Sequence, residues 1–296
     1  MFYTPLSYDE PLFRPPSEAY SLILQVTLGC SWNKCAFCDM YTSKSFRVRN
    51  EREIFAEIDQ VKDIAKDTRK IFLADGNAFV LSFERLMRIL DKLNQSFPRL
   101  VRISAYASSR DILSKTDEEL IQLKNAGLKL LYVGVESGDD ELLGIINKGE
   151  TYNSTEEALL KARNAGIKLS VMILNGLGGK IFSDQHAIQS ARLISSIQPE
   201  YLSTLVLSLP YGVEHFKKRF VREFNQLSPY ELIGELGLFI QNLDLESTVY
   251  RSDHASNYLV LKGILNRDKE ILSNRINDFL QNPHHGKLRP EWSRGL

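Results

Sequence analysis

The feature that most limits what this chain can fold into is an alternation, from residue 22 to 207, of short apolar runs with amphipathic helical stretches. The runs fall at 22–27, 70–74, 101–106, 129–135, 168–174 and 201–207. Most are continuous rather than alternating, as strands buried on both faces require. Between them, Ile54, Ile58, Val61 and Ile64 are spaced to share one helix face, and Phe83, Leu86, Leu90 and Leu93 another. Ser82 stands where the second of these helices should start, while Thr116 with Glu119 and Asn153 with Glu156 read as capping boxes or close variants. Ala-Gly pairs at 126–127 and 165–166 close a helix just before a strand. Six βα units predict an α/β fold built on a parallel sheet, either open and doubly wound or a partial (β/α)6 barrel of TIM type. Both place ligands at the C-terminal ends of the strands. The expected organisation is a lead-in over 1–21, a core over 22–210, and a C-terminal extension over 211–296, more helical and less regular, packed on the core.

Lys plus Arg number 37 and Asp plus Glu number 37, so the chain lacks the basic excess of a general polyanion binder, and nucleic acid is not indicated as a partner. The first sixteen residues lack a signal-peptide pattern, and no apolar run approaches the roughly 18 residues that span a bilayer. A cytoplasmic protein with reduced thiols and no membrane partner is expected.

All three cysteines then gain weight, because they crowd together at Cys30, Cys35 and Cys38, in the loop following the first predicted strand. They make no disulfide framework, and clustered thiols in a reducing compartment point to metal. Three thiolates can hold three irons of a 4Fe–4S cluster and leave the fourth iron open to an outside ligand. Structural zinc is the rival, but it wants four ligands, and the nearest histidine in sequence is His186. An electron-carrying ferredoxin would want a fourth cysteine. Buried thiols without metal are common singly.

The loop resembles the cluster loop of radical S-adenosylmethionine (radical SAM) enzymes, in which an aromatic residue, here Phe37, precedes the last cysteine. Four residues, rather than that family's usual three, separate Cys30 from Cys35. Further segments match in order, each after its own strand. Asp75-Gly76-Asn77 stands where the family accepts hydrogen bonds from the methionine amino group of SAM, although it is also good turn chemistry. Ser104 and Tyr106 end the third strand, where the resemblance places a hydroxyl for the SAM carboxylate and packing is the alternative. Glu136 and Ser137, in a glycine-flanked strand end, resemble the ribose-binding region of the branch containing anaerobic coproporphyrinogen oxidase-like and methylthiotransferase-like enzymes, while Asp139 also suits the cap of the next helix. Leu174 and Gly176 resemble the family's adenine-contacting stretch.

The resemblance implies a 4Fe–4S cluster and SAM as cofactors, an external flavodoxin- or ferredoxin-type electron donor, and reductive cleavage of SAM to a 5′-deoxyadenosyl radical that takes hydrogen from a substrate. A cluster- or haem-handling chaperone on the same fold is the alternative. No catalytic residue acting on substrate is assigned. Arg251, His254 and Asn257 lie in a polar segment suited either to covering a barrel mouth and touching substrate or to capping a helix expected to follow. Tyr41, Lys148 and the 14–18 segment are further candidates for lining the site, and His284 and His285 read as solvated tail.

Overall fold

A computed structural model of the chain describes residues 6–282 and 288–294, so His284 and His285 lie outside the described residues. Its strands are β1 (Leu22–Gln25), β2 (Thr27–Leu28), β3 (Arg47–Val48), β4 (Lys70–Ala74), β5 (Arg102–Tyr106), β6 (Leu128–Glu136), β7 (Lys168–Asn175), β8 (Tyr201–Val206), β9 (Thr248–Ser252) and β10 (Leu261–Leu265). Eight form one mostly parallel sheet in the order β1-β4-β5-β6-β7-β8-β9-β10, and β2 pairs β3 in a separate antiparallel ladder. The sheet is open, and the predicted α/β class holds. All six expected strands are present. The expected 22–27 strand divides because β1 runs parallel to β4 whereas β2 turns to pair with β3. Among the described residues no helix is long and apolar enough to cross a membrane.

The chain packs as two compact units, one of Met1–Asn33, Cys38–Val133 and Ala158–Leu169, the other of Lys34–Phe37, Gly134–Glu157 and Ser170–Leu296. In the first, β1, β4 and β5 align in parallel, with Leu22 opposite Ile71 and Ile71 opposite Ile103. The helix Glu51–Val61 is capped by Asn50 and buries Ile54, Ile58 and Val61. Ile64 departs from expectation: the helix ends before it, and it is 67% exposed. The helix Phe83–Ser96 starts at the Ser82 cap as expected and buries Leu86, Ile89, Leu90 and Leu93. Each fully buried aliphatic side chain contributes roughly 1.5–3 kcal/mol, so these two stripes hold the helices far more firmly than their caps do. Thr116 and Glu119 form the expected capping box. The box expected at Asn153 and Glu156 is instead an exchange between Thr151 and Ser154, each hydroxyl accepting from the other's N–H, ahead of the helix Tyr152–Asn164. Gly127 and Gly166 take the left-handed conformation that ends a helix, with φ of 103° and 81°.

In the second unit, β7 and β8 are parallel from Ser170–Tyr201 to Asn175–Val206, β9 adds in parallel, and β10 returns antiparallel. Sequence reasoning missed β9 and β10. Along β9 the buried side chains are Thr248, Tyr250 and Ser252, so the inward face reads as polar. That polarity is satisfied internally: Thr248 donates to the Pro199 carbonyl at 2.7 Å, and the Tyr250 and Thr204 hydroxyls meet at 2.7 Å.

The pairing of β8 with β9 runs only to Ser203 opposite Arg251. Beyond it the Asn257 side chain takes the place of a strand. Its amide donates to the Thr204 carbonyl at 2.8 Å, and its oxygen accepts from Val206 N–H at 2.9 Å. Ser256 also accepts from Val206 N–H, and its hydroxyl meets His254 Nδ1 at 2.9 Å. Asn257→Ala should therefore lower stability by about 1–3 kcal/mol, the cost of stranding buried backbone groups. Urea unfolding measures it, and an unchanged midpoint would contradict this role.

Candidate functional site

In the first unit the cysteine loop leaves β2 through Gly29, whose φ of 72° favours glycine. Asp75 follows β4 and is wholly buried. Its Oδ2 accepts from Gly29 N–H at 3.1 Å and from Lys44 Nζ at 3.0 Å. One carboxylate oxygen thus pins both flanks of the loop, just before Cys30 and six residues after Cys38. Asn33 also donates to the Tyr41 carbonyl at 3.0 Å, closing the loop on itself. Asn77 donates to Ser31 Oγ at 2.8 Å and to Asp111, which lies in the short helix Ser109–Leu113. The buried ammonium of Lys115 donates to the Phe79 carbonyl at 2.8 Å and supports the turn after Asn77. Burial lowers its pKa to about 8, against the raising influence of Asp111 and Glu119.

Three buried polar atoms in this group have no hydrogen-bond partner: Asp75 Oδ1, Asn77 Oδ1 and the Tyr41 hydroxyl. Burial, with the Asp75 carboxylate next in weight, raises the Tyr41 pKa. A Cβ at Gly76 would lie 2.6 Å from the Tyr41 ring and 3.1 Å from the Gly29 carbonyl, so glycine is what lets these segments approach. Native proteins rarely leave buried acceptors unanswered, and such a set fits a ligand that brings hydrogen-bond donors, as an amino group does. Cys30, Cys35 and Cys38 are half-buried and in no disulfide, and thiols are the ligands an iron–sulfur cluster needs. Among the described residues no three His, Cys, Asp or Glu side chains are already gathered as a metal site.

Ser104 and Tyr106 are placed differently from Asp75. The Ser104 hydroxyl is buried and donates to the Glu18 carboxylate at 3.0 Å. Glu18 also accepts from Arg102 at 2.6 Å and from Tyr132 at 2.5 Å. Tyr106 stacks edge-on against Phe72 with ring centres 5.2 Å apart.

In the second unit, the middle of the cysteine loop is anchored where Ala36 N–H donates to the Ile146 carbonyl at 2.8 Å. Phe37 packs on a core that includes Leu142, Phe216, Phe220 and Phe224. Glu136 ends β6 with a φ of 68°, and its carboxylate lies 3.3 Å from Lys148 Nζ. A Cβ on Gly134 would fall 2.1 Å from that carboxylate, so a glycine there lets it fold back. With its side chain 12% exposed, the carboxylate keeps a reachable edge. Asp139 caps the next helix by accepting from Leu142 N–H at 2.7 Å. Ser137 is buried, its hydroxyl 2.8 Å from His186 Nδ1. After β7, Gly176 has a φ of 82° and donates its N–H to Glu235 Oε1 at 2.6 Å, while Asn175 donates to the Leu232 carbonyl at 3.0 Å.

Tyr41 was already a candidate for lining the site, whereas the contacts of Lys44, His186 and Glu235 in this region were not read from the sequence. His186 and Glu235 bear no motif, and their roles appear only when distant helices pack.

The chain matches the model of the radical SAM superfamily over residues 24–194, more than half its length, and it belongs to that family. Members bind a 4Fe–4S cluster and SAM, carry out radical chemistry from SAM, and need an external electron donor. No curated protein matches the chain. Solved structures that share its fold include the following three. Methylornithine synthase aligns with a TM-score of 0.53 at 17% identity over 91% of this chain and 74% of its own. Coproporphyrinogen III oxidase from Escherichia coli aligns with a TM-score of 0.54 at 17% identity over 75% and 52%. A radical SAM methyltransferase from Kitasatospora setae, bound to tryptophan substrate and a SAM analogue, aligns with a TM-score of 0.51 at 22% identity over 65% and 38%. The chain thus spans about half of the oxidase and less of the methyltransferase.

The buried acid and imidazole set a pH signature. Burial raises the Glu235 pKa to about 7, against the lowering hydrogen bonds from Ser183 and Gly176. Folded Glu235 therefore keeps a proton that the unfolded chain loses near 4.5, and this group reduces stability as pH rises from about 4.5 to 7. Burial lowers the His186 pKa to about 4, so below about 6.5 the unfolded chain binds a proton that the folded one does not. His186 therefore adds stability as pH rises from about 4 to 6.5. The two oppose each other at about 1.4 kcal/mol per pH unit each. Glu235→Gln should unmask the His186 slope, so that stability climbs more steeply than in the wild type between pH 4.5 and 6.5. Parallel profiles in urea titrations would contradict the assignment.

Proposed function

We propose that this chain cleaves SAM reductively at a single 4Fe–4S cluster held by Cys30, Cys35 and Cys38, and that the resulting radical takes hydrogen from a substrate. The observation that carries the reading is a loop of three cysteines, none in a disulfide, whose two flanks are bound by one oxygen of a buried carboxylate while the other oxygen has no protein partner. When bound, the cluster supplies the electron that breaks a carbon–sulfur bond of SAM into methionine and a 5′-deoxyadenosyl radical.

The chain's own residues bind and orient. Asp75 Oδ1 and Asn77 Oδ1, both acceptors, would take the methionine amino group, with Gly76 allowing close backbone approach. Glu136 would accept from the ribose hydroxyls, and Lys148, 3.3 Å away, would hold its carboxylate in place. Leu174 and Gly176 would pack against adenine, and Phe37 would shield the cluster loop from water. Exclusion of water protects a reactive carbon radical from side reactions. Ser104 and Ser137, whose hydroxyls already bond Glu18 and His186, would support the strand ends that carry these contacts. A flavodoxin- or ferredoxin-type protein would deliver the electron.

Anaerobic reconstitution with iron and sulfide should give about four irons per chain and a brown chromophore. Cys30→Ala, Cys35→Ala or Cys38→Ala should each lose the chromophore while melting close to wild type. Stoichiometric zinc with no iron uptake in the wild type would defeat the reading.

A further inference from the structure

The helix Pro229–Asn242 lies outside the region matched to the family, yet it makes the closest contacts to the Asn175–Gly176 turn. We infer that Glu235, on this helix, is a positioning residue for the nucleoside half of SAM, holding the Gly176 peptide in the orientation that adenine binding requires. The inference rests on the proposed placing of adenine at Leu174 and Gly176.

Glu235 is 4% exposed and both its oxygens are engaged, Oε1 by Gly176 N–H at 2.6 Å and Oε2 by the Ser183 hydroxyl at 2.7 Å. A buried carboxylate is a costly way to fill space, and an apolar residue of similar size is often at least as stable there. What a leucine cannot do is accept from the Gly176 N–H. The same helix restrains the turn twice more, since the Leu232 carbonyl takes the Asn175 amide and the Leu232 side chain occupies the place of a Gly176 Cβ, 2.6 Å from its position. Three restraints from one helix thus fix the peptide beside Leu174.

Glu235 also reaches toward the proposed ribose segment. His186 Nε2 lies 3.9 Å from Glu235 Oε1, and His186 Nδ1 lies 2.8 Å from the Ser137 hydroxyl, next in sequence to Glu136. Ser137, His186, Glu235 and Gly176 form a buried polar row joining the ends of β6 and β7, where ribose and adenine contacts are proposed.

The test is calorimetric titration of SAM and of 5′-deoxyadenosine into reconstituted protein, with iron content and melting temperature recorded for each variant. Glu235→Leu should bind both ligands about tenfold or more weakly, since leaving a buried N–H without its acceptor operates on that scale. Glu235→Gln keeps an acceptor for Gly176 and a partner for Ser183, so its affinities should stay within about threefold of wild type on the same scale. Iron content should be unchanged in both. Leu174→Ala separates this inference from the reading beneath it. If Leu174→Ala weakens binding while Glu235→Leu does not, the adenine placing stands and the role of Glu235 is overturned. Equal weakening by Glu235→Gln and Glu235→Leu would also overturn it, because the conservative acceptor would have failed to rescue. If Leu174→Ala binds as wild type does, the adenine placing fails and the inference with it.

Discussion

The arrangement depends first on one buried carboxyl group. Asp75 has no exposed surface, and a polar group in such a place is tolerated only when hydrogen-bond partners answer it. The donors come from Gly29 and Lys44, on either side of the cysteines, so the electrostatic need of one strand end shapes the loop of another. The Asp75 N–H in turn donates to Thr27 Oγ1 at 3.2 Å, tying the same residue to β2. Oδ2 takes the bonds from Gly29 and Lys44, which leaves Oδ1 for the proposed ligand.

Two other buried acids solve the same problem with different consequences. Glu18 gathers Arg102, Ser104 and Tyr132, and so fastens the 3-10 turn Pro16–Glu18 to β5 and β6. Its acceptors are spent on the protein, which makes it an anchor. Glu235 engages a glycine peptide and a serine hydroxyl in surroundings that favour its protonated form near neutrality. The helix that bears it is thereby bound to the turn after β7.

Much of this was legible in the sequence, and the reasons are local. Continuous apolar runs marked the six parallel strands because strands buried on both faces need no alternation. Caps at Ser82, Thr116 and Asp139 were readable because a side chain bonding an N–H two or three residues ahead is a short-range event. β9 and β10 escaped because Thr248, Tyr250 and Ser252 face inward with their polar groups satisfied, which disguises the period of two. Asn257 read equally as a cap or a cover until its amide was seen to continue the ladder of β8. Asp75 and Glu136 became candidates because the segments that hold them resemble family motifs after their strands, whereas Lys44, His186 and Glu235 make contacts across 31 to 59 residues of sequence and have no local signature.

The central claim is that these thiols and carboxylates serve the reductive cleavage of SAM. The most direct measurement is chromatographic detection of 5′-deoxyadenosine after anaerobic incubation of the reconstituted protein with SAM and dithionite. The account predicts 5′-deoxyadenosine and methionine in equal amounts, dependent on reductant and absent when Cys30, Cys35 or Cys38 is replaced. A protein that carries a full cluster and binds SAM, yet forms no 5′-deoxyadenosine under reduction, would contradict it.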